Sequence, residues 1–81
     1  MMNLLDAPQG VRLKMIEISG GEGVRRRLFA LGFHKGDEIE YGPQGILGGP
    51  IIIKNVGSGV TAAIGRGIAR RILVDISHGH E

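Results

Sequence analysis

A single short helix, fenced by glycines, constrains this chain more than anything else in it. Val24, Leu28 and Leu31 sit at i, i+4 and i+7, so one face of a helix gathers three apolar side chains. Glu22 lies at the expected N-terminal end, where an anion complements the helix dipole. Gly32 follows the last periodic residue, where a left-handed stop suits glycine, and Phe33 can fold back onto Leu28 or Ala30. Lys35-Gly36-Asp37 reads as a turn into the strand-like Glu38-Ile39-Glu40-Tyr41. The spacing predicts one amphipathic helix clamped against strands on both sides.

The other segments have the two-residue period of strands. Leu4 and Leu5 precede a Pro8-Gln9-Gly10 turn, with one leucine expected in the core. From Val11 to Ile18, Val11, Leu13 and Met15 alternate with Arg12 and Lys14. The phase then slips, since Ile16 and Ile18 are apolar and Glu17 is not. A slip of that kind predicts a bulge or sharp bend. Gly42 to Pro50 is a glycine- and proline-rich loop with Ile46 and Leu47 at its middle. Ile51 to Val56 is β-branched, Gly57-Ser58-Gly59 has the composition of a hairpin turn, and Val60, Ala62 and Ile64 alternate on a return strand. The segment from Gly65 to Arg70 has room for a single helical turn, and Ile72, Val74 and Ile76 alternate in a closing strand. The pattern predicts a mainly β fold: five short strands curled into a small barrel, with the helix inserted between the first two and plugging it.

The run from Arg25 to Ile39, Arg-Arg-Arg-Leu-Phe-Ala-Leu-Gly-Phe-x-Lys-Gly-Asp-x-Ile, resembles the signature of the FeoA family. The likeness extends from Leu4 to Ile76 and takes in the Pro8 to Gly10 turn, the Gly48-Gly49-Pro50-Ile51 stretch and the closing Ala69-Arg70-Arg71-Ile72-Leu73-Val74. The resemblance implies an SH3-like β-barrel in a small cytoplasmic protein that accompanies the membrane ferrous-iron transporter FeoB. The same module closes some iron- and manganese-dependent repressors. On this reading residues 1–76 form one domain and residues 77–81 a polar tail. Arg27 matches the arginine that precedes the family's Leu-x-x-Leu-Gly core.

Composition narrows the function further. With 81 residues the chain has material for one modest core, and with no cysteine it has neither disulfides nor thiolate chemistry. The apolar share of 42% argues against disorder. Ile51-Ile52-Ile53 is far short of the roughly 18 apolar residues of a membrane helix, and no secretory signal is visible at the start. These features predict a cytoplasmic protein that does not itself span a membrane. Ten Lys and Arg against eight Asp and Glu leave a charge of only +2, which does not demand a nucleic acid. The aromatics Phe29, Phe33 and Tyr41 do not alternate with basic residues as a base-stacking platform would.

No enzyme is predicted. Ser58 lacks the glycine at position 56 of a nucleophile elbow, and no serine–histidine–acid set can be assembled from the three histidines. Glu38 and Glu40 share a strand face, which is the ordinary solvent face of an amphipathic strand. The glycines from 20 to 23 open a helix but lack the lysine and hydroxyl of a phosphate-binding loop, so they are read as a tight strand-to-helix turn. No cofactor is required. The metal-ligand inventory is His34 after the helix and His78, His80 and Glu81 in the tail, enough for weak divalent binding such as iron. His34 can instead meet the last helix carbonyls.

Partner binding is the leading reading. Ile46 and Leu47 are apolar where loops are usually polar, and Leu73 lies off the core phase of its strand. Arg27, Arg70 and Arg71 supply nearby charge, although Arg27 can equally pair with Glu38 or Glu40. Arg25, Arg26 and Arg27 point three ways about the helix, so the triplet makes no patch by itself. The expected partner is the FeoB-type transporter, with its cytoplasmic GTPase-like domain, and no nucleic acid is expected. The alternatives are a metal-responsive sensing module and a weak nucleic-acid-binding barrel using Arg25, Arg26, Arg66, Arg70 and Arg71.

Overall fold

The computed structural model describes residues 1–42 and 49–77. The alternating segments form strands β1 (Met2–Asn3), β2 (Leu13–Ile18), β3 (Glu38–Tyr41), β4 (Ile51–Asn55), β5 (Thr61–Ile64) and β6 (Ile72–Ile76). Helix α1 (Glu22–Leu31) joins β2 to β3, and the single turn α2 (Arg66–Ala69) joins β5 to β6. A 3-10 turn over Leu4–Asp6 follows β1 and fully buries Leu4. Its cap is Asn3, whose side-chain oxygen accepts from the Leu5 N–H at 2.9 Å.

All neighbouring strands are antiparallel, in the order β1-β6-β2-β3-β4-β5. This corrects the expected five-stranded barrel in two respects. Among the described residues the sheet has a sixth strand, because Met2 and Asn3 pair with Val74 and Leu73 through their backbones. Two residues are too short to leave a period in the sequence. The sheet also stays open, since its ends β1 and β5 do not pair with each other. It nonetheless curls. Leu4, next to one edge, and Ile64, on the other edge, belong to one core with Leu13, Met15, Ile39, Ile53 and Val74. An open sheet reaches both ends of the same core only by wrapping around it.

The phase slip in β2 is a bulge. Met15 stands opposite Val74 and Glu17 opposite Leu73, leaving Ile16 as the extra residue. The inserted residue restores the inward phase, so Ile18 is buried opposite Ile72. The return strand β5 starts one residue later than its pattern suggests. Val60 lies outside it, exposed, and packs over Gly32 at the end of α1.

Helix α1 ends as its sequence demands. Gly32 takes a left-handed φ of 102°, and its N–H meets the Phe29 carbonyl at 3.0 Å. The Phe33 N–H reaches the Leu28 carbonyl at 2.9 Å, completing a Schellman closure with both Leu28 and Phe33 in the core. Leu31, the third residue of the apolar stripe, is instead 37% exposed at the stripe's margin. Because α1 contributes Leu28 to the core and Phe29 points outward, the two positions separate cleanly on mutation. Leu28→Ala should destabilise by about 2–5 kcal/mol, and Phe29→Ala by no more than about 0.5 kcal/mol, in urea unfolding. Gly32→Ala should cost about 1–2 kcal/mol in the same assay, since its φ disfavours a Cβ, and that Cβ would meet Val60 Cγ1 at 3.3 Å.

Candidate functional site

Helix α1 has three working faces. Val24 and Leu28 turn inward against the sheet. Glu22, Arg25, Arg26 and Phe29, at i, i+3, i+4 and i+7, form a second face. They meet Ile18 of β2 and His34-Lys35 across a groove of about 340 Å³. Arg27, Ala30 and Leu31, at i, i+3 and i+4, form the third face. Together with Ala63 and Ile64 of β5, Gly65, and Ile68 of α2 they line a groove of about 250 Å³. The arginine triplet is thus divided, with Arg25 and Arg26 in one groove and Arg27 in the other.

One buried polar side chain holds this arrangement in register. Asn55, at the end of β4, is only 7% exposed. Its amide donates to the Gly32 carbonyl at 2.9 Å and to Asp37 Oδ2 at 3.0 Å. Its side-chain oxygen accepts from the Gly57 N–H at 3.0 Å and the Ser58 N–H at 3.3 Å. Asp37 Oδ2 also accepts the His34 N–H at 2.8 Å. The end of α1, the turn into β3 and the β4–β5 hairpin therefore meet at one amide. Every donor and acceptor of that amide is used. Sequence reading missed Asn55. The available signal was an asparagine directly before Val-Gly-Ser-Gly, where such side chains bond the backbone two residues on.

The residues singled out from sequence are dispersed. Arg27 is exposed in the α1–β5 groove and pairs with neither Glu38 nor Glu40, contrary to one expectation. Glu38 instead accepts from Ser77 Oγ at 2.6 Å and faces Arg12 at 3.8 Å. Leu73 is half-buried in β6, facing Asn3 and Glu17 across the ladders. Arg70 and Arg71 are exposed just after α2, and the Arg71 carbonyl accepts from the Ser19 N–H at 2.8 Å. Neither arginine lines the grooves beside α1, nor does Leu73. Ile46 and Leu47 lie outside the described residues, as do His78, His80 and Glu81.

His34 does not cap the helix carbonyls. Its ring lies against Phe29, with centroids 6.0 Å apart and planes 19° from parallel. Nδ1 is 3.0 Å from the Lys35 carbonyl and 3.3 Å from Asp37 Oδ1. Both neighbours are acceptors, which favours the proton on Nδ1. Among the described residues no three His, Asp or Glu side chains gather as a metal site would need. Among the same residues no helix is long and apolar enough to cross a membrane.

The model of the FeoA domain matches residues 2–76. The chain belongs to the FeoA family. Solved structures agree with the assignment. A crystal structure of the iron uptake regulatory protein FeoA is 32% identical and superposes with a TM-score of 0.78, over 91% of this chain and 93% of that one. The solution structure of FeoA from Chlorobium tepidum is 30% identical, with a TM-score of 0.83 over 99% of this chain and 74% of that one. The zinc complex of Stenotrophomonas maltophilia FeoA, a procaryotic SH3 domain protein, is 25% identical. It has a TM-score of 0.64 over 93% of this chain and 91% of that one. No match is found among curated proteins. As a FeoA-family member the chain is a non-enzymatic protein.

If Asn55 sets the position of the FeoA helix, its loss should be felt at both ends of the network. Asn55→Ala should cost about 2–4 kcal/mol, since it strands the Gly32 carbonyl and one bond to a carboxylate. Hydrogen exchange should show faster opening of the last turn of α1 and of the hairpin amides at Gly57 and Ser58, with β6 little changed.

Proposed function

We propose that this FeoA-family chain is a cytoplasmic adaptor of ferrous iron uptake that binds an FeoB-type membrane transporter and regulates it. The observation that carries the reading is the family match over residues 2–76. Two relatives lend it support. One is an iron uptake regulatory protein, and the Stenotrophomonas maltophilia protein is a candidate activating factor of bacterial ferrous iron transport.

The docking surface in this proposal centres on Arg27. The groove around it has an apolar floor of Leu31, Ile64 and Ile68 and a cation at its rim. Among the described residues Arg27 has no ion-pair or hydrogen-bond partner. An apolar centre with a polar rim is the usual anatomy of a protein interface, and arginine is enriched there. Arg70, Arg71 and Leu73 do not line this groove and belong to the proposed surface on their sequence alone. Ile46 and Leu47 enter it on their sequence alone.

Binding of the purified chain to the transporter's cytoplasmic domain tests the surface. Arg27→Glu, and separately the double change Ile46→Ser with Leu47→Ser, should each weaken binding by roughly tenfold or more while leaving the urea midpoint in place. Affinity unchanged in both variants would refute this surface.

A further inference from the structure

The opposite flank of α1 carries a second groove that the adaptor reading does not use. Phe29 lines it and is 66% exposed, an unusual position for a phenylalanine on a helix so tightly docked. His34 lies alongside and extends the aromatic surface. Buried Ile18 supplies the wall on the β2 side. The floor is therefore apolar, and it is wide enough for a side chain of leucine or phenylalanine size.

The charges on the rim differ in how far they are already satisfied. Arg25 donates to the Ile18 carbonyl at 2.9 Å and faces Glu22 at 3.6 Å. Lys35 faces Glu17 at 3.6 Å. Arg26 has no such partner among the described residues. Among the described residues three cations thus meet two carboxylates, leaving one guanidinium uncompensated beside an exposed aromatic ring.

From this charge complementarity we infer that the Phe29 groove binds a short acidic peptide segment. The segment seats one apolar side chain on Phe29, His34 and Ile18 and places an adjacent carboxylate on Arg26. A guanidinium suits a carboxylate because its planar fork matches both oxygens. A nucleic acid fits less well. Its affinity grows with the number of phosphates neutralised, and two of the three cations here already carry counterions. The inference is independent of the Arg27 surface, which lies on another face of the helix.

Fluorescence anisotropy with a labelled peptide, one leucine flanked by aspartates, tests the site. Saturable binding is expected, and it should weaken roughly tenfold or more in Arg26→Glu and in Phe29→Ser. Both side chains are exposed, so thermal unfolding of either variant should match that of the unmodified chain. Replacing the peptide's leucine with serine, or its aspartates with lysines, should abolish binding, whereas Arg27→Glu should leave it unchanged. No saturable binding would overturn the proposal, as would equal binding to the Arg26 and Phe29 variants. Tighter binding of oligo(dT) that displaces the peptide would overturn it in favour of a nucleic acid. A concentration-dependent dimer lost in Phe29→Ser, without peptide binding, would overturn it in favour of a second copy of the chain.

Discussion

The fold depends on the way a ten-residue helix is locked to a sheet it only partly covers. An isolated helix of that length is marginal in water, and its order must come from tertiary contacts. Leu28 and Phe33 supply the apolar part of the lock, closing the helix end over the core. Asn55 supplies the polar part. Its amide holds the Gly32 carbonyl that the stop leaves over and also the Asp37 carboxylate that shapes the next turn. Because Asn55 is itself fixed by the hairpin amides it accepts from, the helix inherits the rigidity of β4 and β5.

That lock determines what the surface can present. With its inner stripe reduced to Val24 and Leu28, α1 leaves two other faces to line grooves. Each groove combines an apolar floor with an arginine that lacks a counterion among the described residues, Arg26 on one side and Arg27 on the other. The consecutive arginines thus serve different surfaces because successive helical residues are turned by about 100°. In the proposed function these grooves are where a partner docks, which suits a family that includes an iron uptake regulatory protein.

Much of this was legible locally. The left-handed stop at Gly32, the bulge at Ile16, the turn at Gly57-Ser58-Gly59 and the single turn after Gly65 all follow from neighbouring residues. The motif from Arg25 to Ile39 carried the family. What escaped was non-local. Strand β1 exists only through its pairing with β6, and two residues contain no period. Leu31 fits the helical stripe but lies at its margin, because the curled sheet covers only Val24 and Leu28 fully enough to make them core or near-core. Asn55 matters because positions 32, 37 and 55 converge, which no local pattern encodes. The grooves are junctions of α1 with β2 and the turn at 34–35 on one side and with β5 and α2 on the other, so the expected grouping of Arg27 with Leu73, Arg70 and Arg71 did not foresee the Ala63, Ile64 and Ile68 neighbourhood of Arg27.

In the proposed function the chain acts by contacting a protein and not by holding iron. An NMR titration of the isotope-labelled chain addresses it directly, with the transporter's cytoplasmic domain in one series and ferrous iron in another. Saturable shifts are expected around Arg27, Leu31, Ala63 and Ile68 with the protein domain, and no saturable response to iron. Saturable iron-induced broadening centred on His34, with no shifts from the transporter domain, would contradict it.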